Sequence, residues 1–174
     1  MSKIVSKEFF SENVVKLEVE APLIARSRKA GHFVIVRVDA NGERIPLTIA
    51  DSDTEKGTIT LVIQKIGASS TKITNLNVGD ELLDVVGPLG KATHIDKFGT
   101  VVCSGGGVGV APLLPIIKAM KAAGNKVISV LAARTKDLVI LEEQVREYSD
   151  EVVIMTDDGS YGKAGRVTDG IEEI

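Results

Sequence analysis

The first chemical signal in the chain is a run of glycines at a fixed place. Ser104-Gly105-Gly106-Gly107-Val108-Gly109-Val110-Ala111-Pro112 follows the apolar run Thr100–Cys103 and precedes a helical pattern at Leu113, Leu114, Ile117 and Met120. The order is strand, glycine turn, helix. The first amides of a helix have no partner within it, and with the helix dipole they favour an anion, most often a phosphate. Glycine suits such a turn because the backbone must bend at positive φ and a Cβ would keep a ligand away. Gly105, Gly106, Gly107 and Gly109 are therefore candidates for holding the diphosphate of a dinucleotide. Pro112 joins them in the first helical turn, where a missing N–H costs nothing, and Pro115 is expected just inside that turn. The spacing is not G-x-G-x-x-G, and no G-K-[ST] follows, so a P-loop is excluded. A purely structural turn is the competing reading.

A second stretch of the same kind is Ile66-Gly67-Ala68-Ser69-Ser70-Thr71-Lys72. Gly67 allows close backbone approach, and the amides and hydroxyls of Ser69, Ser70 and Thr71 open a short helix. An N-cap without a ligand explains the same residues. Arg134-Thr135-Lys136 and Asp157-Asp158-Gly159 each end an apolar strand pattern. They fall at the carboxyl edge of a parallel sheet, where ligands bind in open α/β folds. Arg134 could meet an adenosine ribose or a 2′-phosphate and Asp157 the nucleotide; a solvated loop and a plain turn are the alternatives. Cys103 reads first as a buried strand thiol.

Other chemistries lack their residues. His32 and His94 are too isolated for a zinc site, no G-x-S-x-G or paired-carboxylate signature occurs, and Glu142-Glu143 reads as a solvated helix face. The single cysteine forms no internal disulfide, which points to the cytoplasm. Aromatics are 3% of the 174 residues, the formal net charge is −3 and no long basic run exists, so nucleic-acid binding is disfavoured. Phe98–Ile117 carries no charge and is long enough to span a bilayer, but its glycines and two prolines favour strand, turn and buried helix.

These groups need elements to place them. Residues 1–97 read as a strand-rich unit whose N-terminus, Met1–Asn13, is charged and broken. Strands are expected at 14–20, 33–38, 44–50, 58–64 and 81–86. A hairpin turn with Asn41-Gly42 at its centre, a polar loop at 51–57, a short helix over 68–76 and a tight loop at 87–90 connect them. Five or six short strands make a small barrel. From residue 98 the period changes. Strands at 100–103, 126–132 and 152–155 alternate with helices at 111–123 and 138–148, the latter capped by Asp137. Gly124-Asn125 stops the first helix, a turn covers 156–160 and another helix starts at Thr168. Such alternation implies a thin three-stranded parallel sheet with right-handed crossovers. The fold class is thus β + α/β: a small antiparallel barrel over 1–97, followed by a shortened parallel-sheet nucleotide-binding domain over 98–174.

In order and spacing, four pieces resemble the ferredoxin–NADP reductase superfamily. They are Arg44-Ile45-Pro46-Leu47-Thr48-Ile49-Ala50-Asp51, Ile66–Lys72, Gly87-Pro88-Leu89-Gly90 and Ser104–Pro112. Within that superfamily the chain is most similar to dihydroorotate dehydrogenase electron-transfer subunits and to the alpha subunit of NADH-dependent ferredoxin–NADP oxidoreductases. The resemblance implies an FAD-binding barrel and an NAD(P)H-binding domain. It implies that the Thr48 hydroxyl lies near the reactive flavin nitrogen N5, making Thr48 the candidate catalytic residue, and that Pro46 and Leu47 line the isoalloxazine. Arg44 becomes a phosphate partner, although Ile45 stands where the family's arginine is expected. Gly67 and Ser69–Thr71 become a second phosphate cradle, and Gly87–Gly90 lies close to the flavin. Relatives of the dihydroorotate type continue into a cysteine cluster that binds 2Fe–2S; with Cys103 alone, no such cluster is assigned to this chain.

The expected activity is hydride transfer from NAD(P)H to FAD in a cytoplasmic hetero-oligomer. Electrons would pass on to an iron–sulfur or dehydrogenase partner subunit. The alternative is a cofactor-binding or docking module without turnover of its own.

Overall fold

A computed structural model describes all residues, 1–174. The chain falls into two compact units, Met1–Thr93 and His94–Ile174.

The first unit is a seven-stranded antiparallel sheet. Its strands are β1 (Ser2–Ser11), β2 (Val14–Glu20), β3 (Phe33–Arg37), β4 (Ile45–Asp53), β5 (Thr58–Gln64), β6 (Glu81–Leu82) and β7 (Asp84–Leu89), in the order β6-β1-β2-β5-β4-β3-β7. The two end strands, β6 and β7, are one stretch of chain broken only at Leu83, whose amide donates to Val38 O at 3.1 Å. That single break lets the sheet curl into a nearly closed barrel, leaving few free edges. Alternation along the strands sends Leu17, Val19, Val34, Val36, Ile49, Ile59, Leu61 and Ile63 inward, joined by Ile4, Ile73 and Leu82. Each such side chain, fully buried, contributes roughly 1.5–3 kcal/mol. Helix α1 (Pro22–Ser27), with proline in its first turn, packs Ile24 and Ala25 into this core, and helix α2 (Ala68–Thr74) adds Ile73.

Several local expectations for this unit are corrected. Met1–Asn13 is no broken segment: ten of its residues form β1, paired in register Ile4↔Val19 and Lys7↔Leu17. Irregularities between Ile4 and Ser6 and between Phe9 and Ser11 interrupt the alternation, so no period of two is visible in the sequence. The Asn-Gly pair does not centre a hairpin turn. The turn spans Asp39–Gly42, closed by the Gly42 amide on Asp39 O at 3.0 Å, with Ala40 and Asn41 in the middle. β4 runs on to Asp53, and Gly87–Leu89 belongs to β7, with a cis peptide at Gly87–Pro88, instead of forming a loop.

The second unit is a parallel sheet of β8 (Thr100–Gly106), β9 (Lys126–Ala133), β10 (Glu151–Thr156) and a short fourth strand, β11 (Lys163–Ala164), in the order β11-β10-β9-β8. Three helices accompany it: α3 (Val110–Ala122), α4 (Glu142–Tyr148) and α5 (Val167–Glu172). Consecutive β9 residues meet different helices. Ser129 Oγ hydrogen-bonds Ser149 Oγ just past α4 at 2.7 Å, while Val130 lies under Gly170 of α5. Because successive side chains point to opposite faces, α4 and α5 cover opposite sides of the sheet. Burial on both faces explains why β9 is apolar from Val127 to Ala133 apart from Ser129.

Two elements here also differ from the sequence reading. Asp137 caps no long helix; it sits in a 3₁₀ turn, Lys136–Leu138, and α4 begins only at Glu142, after Leu141 at φ 58°. β11 adds a strand too short to show a periodic signal. Residues 94–97 go with the second unit because Asn125 holds the carbonyl of Asp96.

Candidate functional site

In the first unit, β4 displays the expected flavin residues on two faces. Ile45, Leu47 and Ile49 pack with the barrel core, whereas Pro46 is exposed and Thr48 half-buried on the outer side. Leu47 therefore does not share a face with Pro46. The Thr48 hydroxyl has no hydrogen-bond partner within the chain. Thr48 pairs with Phe33, and Phe33 in turn with Leu89, so the Pro88–Gly90 segment lies two strands away in the same sheet. A Cβ at Gly90 would stand 2.9 Å from the Phe33 ring, and its φ is +86°, so glycine is required there on both counts.

The start of α2 sits beside the β3–β4 loop. Ser69 donates its hydroxyl hydrogen bond to the Glu43 carboxylate, and Lys72 pairs with Asp39. The Ser70 hydroxyl is engaged locally: it accepts the amides of Ile66 at 3.0 Å and Gly67 at 2.9 Å. It closes the helix start as an N3 side chain does, so only its amide is left for a ligand. The Thr71 hydroxyl has no partner, and the space where a Cβ of Gly67 would stand is open. From Ile45, beside this loop, to Thr48 is three residues of strand, about 10 Å.

Arg44 is already engaged. It and Arg37 converge on Asp84, with Arg44 Nη2 at 3.0 Å and Arg37 Nε at 2.8 Å from the same oxygen. The Arg44 hydrogen bond first, then the Arg37 charge, holds the Asp84 carboxyl below the usual range. Arg44 thus ties β4 to β7, and a role as phosphate partner would require it to exchange that carboxylate for the ligand.

In the second unit the glycine turn joins β8 to α3 through a 3₁₀ turn, Gly107–Gly109. Only Gly107 has positive φ, +53°. A Cβ at Gly107 or Gly109 would meet no atom within 4 Å, whereas one at Gly105 would lie 3.2 Å from Gly109 O and from the Leu113 side chain. Gly105 is thus needed for packing, Gly107 for backbone conformation, and Gly107 and Gly109 border open space. Gly106 ends the pairing of β8 with β9. Pro112 lies in the first turn of α3. Pro115 is a full turn in, buried, without the amide that would bond Ala111.

The loops after β9 and β10 are stitched together. Asp157 N donates to Ala133 O at 3.0 Å, Asp158 N to Arg134 O at 3.3 Å and Lys136 N to Ser160 Oγ at 2.9 Å. Arg134 and Asp157 are both exposed, and their side chains make no hydrogen bond or ion pair. Asp158 turns back on the Ser160 hydroxyl and amide, which keep it below the usual carboxylate range. Cys103 is buried, and that burial pushes its thiol up.

The oxidoreductase FAD-binding domain family matches over residues 1–94, more than half of the chain. The chain belongs to this family. A dihydroorotate dehydrogenase B (NAD(+)) electron transfer subunit homolog from Thermotoga maritima is 42% identical over 174 residues, covering 100% of this chain and 61% of the relative. The electron transfer subunit of that enzyme from Geobacillus thermodenitrificans is 35% identical over 98% of this chain and 68% of its own length. Among solved structures, one of an NADH-dependent reduced ferredoxin-NADP oxidoreductase superposes with a TM-score of 0.95 at 39% identity, over 99% of this chain and 62% of that one. A cytochrome P450 reductase from Amycolatopsis shares the fold at a TM-score of 0.80 and 21% identity. The barrel and parallel sheet are those of the ferredoxin–NADP reductase-like fold. The chain spans about three fifths of the length of the first of these relatives.

Some residues that shape the candidate sites lie outside the candidate set. Glu43, at the end of the expected hairpin turn, accepts the Ser69 hydroxyl. Thr156, fully buried, donates Oγ1–H to Tyr161 O at 2.7 Å and accepts the Tyr161 amide at 3.1 Å, closing the loop that carries Asp157. Tyr161 in turn donates its phenol to Glu142 at 2.9 Å, so Glu142 is a loop anchor and not a solvated face. No helix is long and apolar enough to cross a membrane, so the uncharged run 98–117 is strand, turn and helix.

Proposed function

We propose that this chain is a flavoprotein electron-transfer module, with FAD on the first unit and NAD(P)H on the second. The observation that carries the reading is that each unit presents a glycine-opened helix start bordering open space, one inside the matched FAD-binding family and one at the carboxyl edge of a parallel sheet. The residues fit the groups. Pro46 offers an apolar surface and Thr48 a free hydroxyl on the outer face of β4, and Gly67 leaves room at the start of α2. Gly107 and Gly109 leave room for a diphosphate. When bound, the two cofactors would supply a hydride donor and a hydride acceptor, with electrons passing on to one-electron carriers of an iron–sulfur or dehydrogenase partner subunit. The chain's own residues bind and orient: Thr48 would donate a hydrogen bond toward the flavin, Arg134 and Asp157 would hold the adenosine end of the nucleotide, and the glycine turn its diphosphate.

Titrating the purified chain with FAD tests this reading, followed by an NAD(P)H–dye reductase assay. Binding with quenched flavin fluorescence and dye reduction are expected; a colourless protein that takes up no flavin would end it. Thr48→Val keeps the shape and removes the hydroxyl. It is expected to leave FAD bound and to slow flavin reduction in stopped flow by about tenfold, the weight of one hydrogen bond to a developing charge. An unchanged rate with flavin bound would remove Thr48 from the site.

The second reading is a module that turns over only inside a larger redox complex, supported by relatives named as electron transfer subunits. Flavin binding without dye reduction would select it.

A further inference from the structure

We propose that Asn125 fixes the length of free chain between the two units, confining the pivot to His94 and Ile95. The connecting chain is pinned on both sides of those two residues. On the first side the Thr93 amide donates to Ala30 O at 2.9 Å. Thr93 also packs so tightly over Gly31 that a Cβ there would stand 2.5 Å from its hydroxyl. On the second side Asn125, only 3% exposed, grips the chain with its whole carboxamide. Oδ1 accepts the amides of Phe98 at 2.7 Å and Gly99 at 3.0 Å. Nδ2 donates to Asp96 O and Met120 O, each at 2.9 Å. That exhausts the two lone pairs and two hydrogens of the amide. The Lys126 amide on Gly99 O at 2.7 Å continues the hold into β8.

Between the two anchors, no backbone hydrogen bond involves His94 or Ile95. The His94 ring makes only a surface edge contact with Phe98 at 5.8 Å and lies 3.9 Å from Asp96. Two residues carry four soft dihedrals. Releasing Asn125 would free Asp96–Phe98 as well, lengthening the loose chain from two residues to five, with Gly99 still held through its carbonyl by the Lys126 amide. Asparagine is specific to this task. Aspartate keeps the acceptors, loses both donors and buries a charge; alanine loses all four bonds. The sequence reading took Asn125 with Gly124 as a helix stop. Gly124, at φ +83°, does stop α3, and in doing so turns Asn125 inward. The inference concerns the connection alone and stands whichever cofactors the units hold.

The test uses the full chain with nitroxide labels at Lys65→Cys and Glu147→Cys, both exposed positions, Cys103 being buried. Distance distributions between the labels are read beside amide hydrogen exchange. Asn125→Ala is expected to speed exchange at Phe98 and Gly99 by about tenfold or more and to broaden the distribution. Two glycines inserted between His94 and Ile95 are expected to broaden it without changing that exchange. The proposal is overturned if Asn125→Ala speeds exchange and leaves the distribution as narrow as before. It is overturned equally if the insertion leaves the distribution unchanged, or if the native chain is already as broad as the insertion variant. The insertion leaves Asn125 and its partners intact, so it decides the matter even where Asn125→Ala fails to fold.

Discussion

Gly107→Leu is expected to weaken nicotinamide dinucleotide binding by about a hundredfold or more, a loss of roughly 3 kcal/mol, while FAD binding is unchanged. Two effects combine at this position. Gly107 sits at φ +53°, where a side chain strains the backbone by roughly 1–2 kcal/mol. A leucine would also fill the open space beside the turn, which a diphosphate would have to enter. Gly109→Leu separates the two. Gly109 has φ −63° and ψ −13°, ordinary helical backbone that any residue adopts, and no atom within 4 Å of a Cβ. Loss of binding in Gly109→Leu therefore reports blocking alone. Calorimetric titration of the FAD-loaded chain reads both variants. If both bind dinucleotide as tightly as the native chain, the turn is structural and the nucleotide half of the assignment falls.

Gly162→Ala is expected to destabilise the second unit by about 3 kcal/mol or more, enough to shift its thermal transition by several degrees. The added Cβ would stand 2.2 Å from the carbonyl oxygen of Ile154 and 2.9 Å from its carbon, in the backbone of β10. Backbone inside a sheet cannot step aside as a flexible side chain can. The φ of +67° adds its own strain. The damage reaches function because Gly162 closes the loop whose other end hangs on Thr156. The Thr156–Tyr161 bonds set that loop, and the loop presents Asp157 beside Arg134. Weaker dinucleotide binding should accompany the lower transition temperature. A variant as stable as the native chain would show that the loop yields where the structure has it fixed.

The two-part architecture was legible because period carries it. β5 alternates and is buried on one face; β9 is apolar from Val127 to Ala133 except at the buried, hydrogen-bonded Ser129, because helices cover both of its faces. The glycine turn was legible because Gly107 takes a positive φ and Gly105 has no room for a Cβ beside Gly109 O and Leu113. β1 was not legible: its bulges scatter inward and outward residues, and its pairing with β2 and β6 gives it order that its own composition does not. α4 was overextended because Asp137 has the chemistry of a cap, yet its loop is drawn to Ser160 across the sheet edge.

Among the candidate site residues, type and spacing alone marked Gly105–Gly109, Gly67, Ser69–Thr71, Arg134 and Asp157. The family's motif added Arg44, Pro46, Leu47 and Thr48. What each can offer was decided by tertiary contacts. Strand alternation turned Leu47 to the core and left Pro46 and Thr48 outside; Asp84 took Arg44; the amides of Ile66 and Gly67 took the Ser70 hydroxyl. Asn125 shows the same division most plainly. Its partners at Asp96, Phe98 and Gly99 are 26 to 29 residues away in sequence. A local pattern records which torsions and periods a segment favours, whereas a side chain's hydrogen-bond partner is set by which distant segment the fold brings beside it.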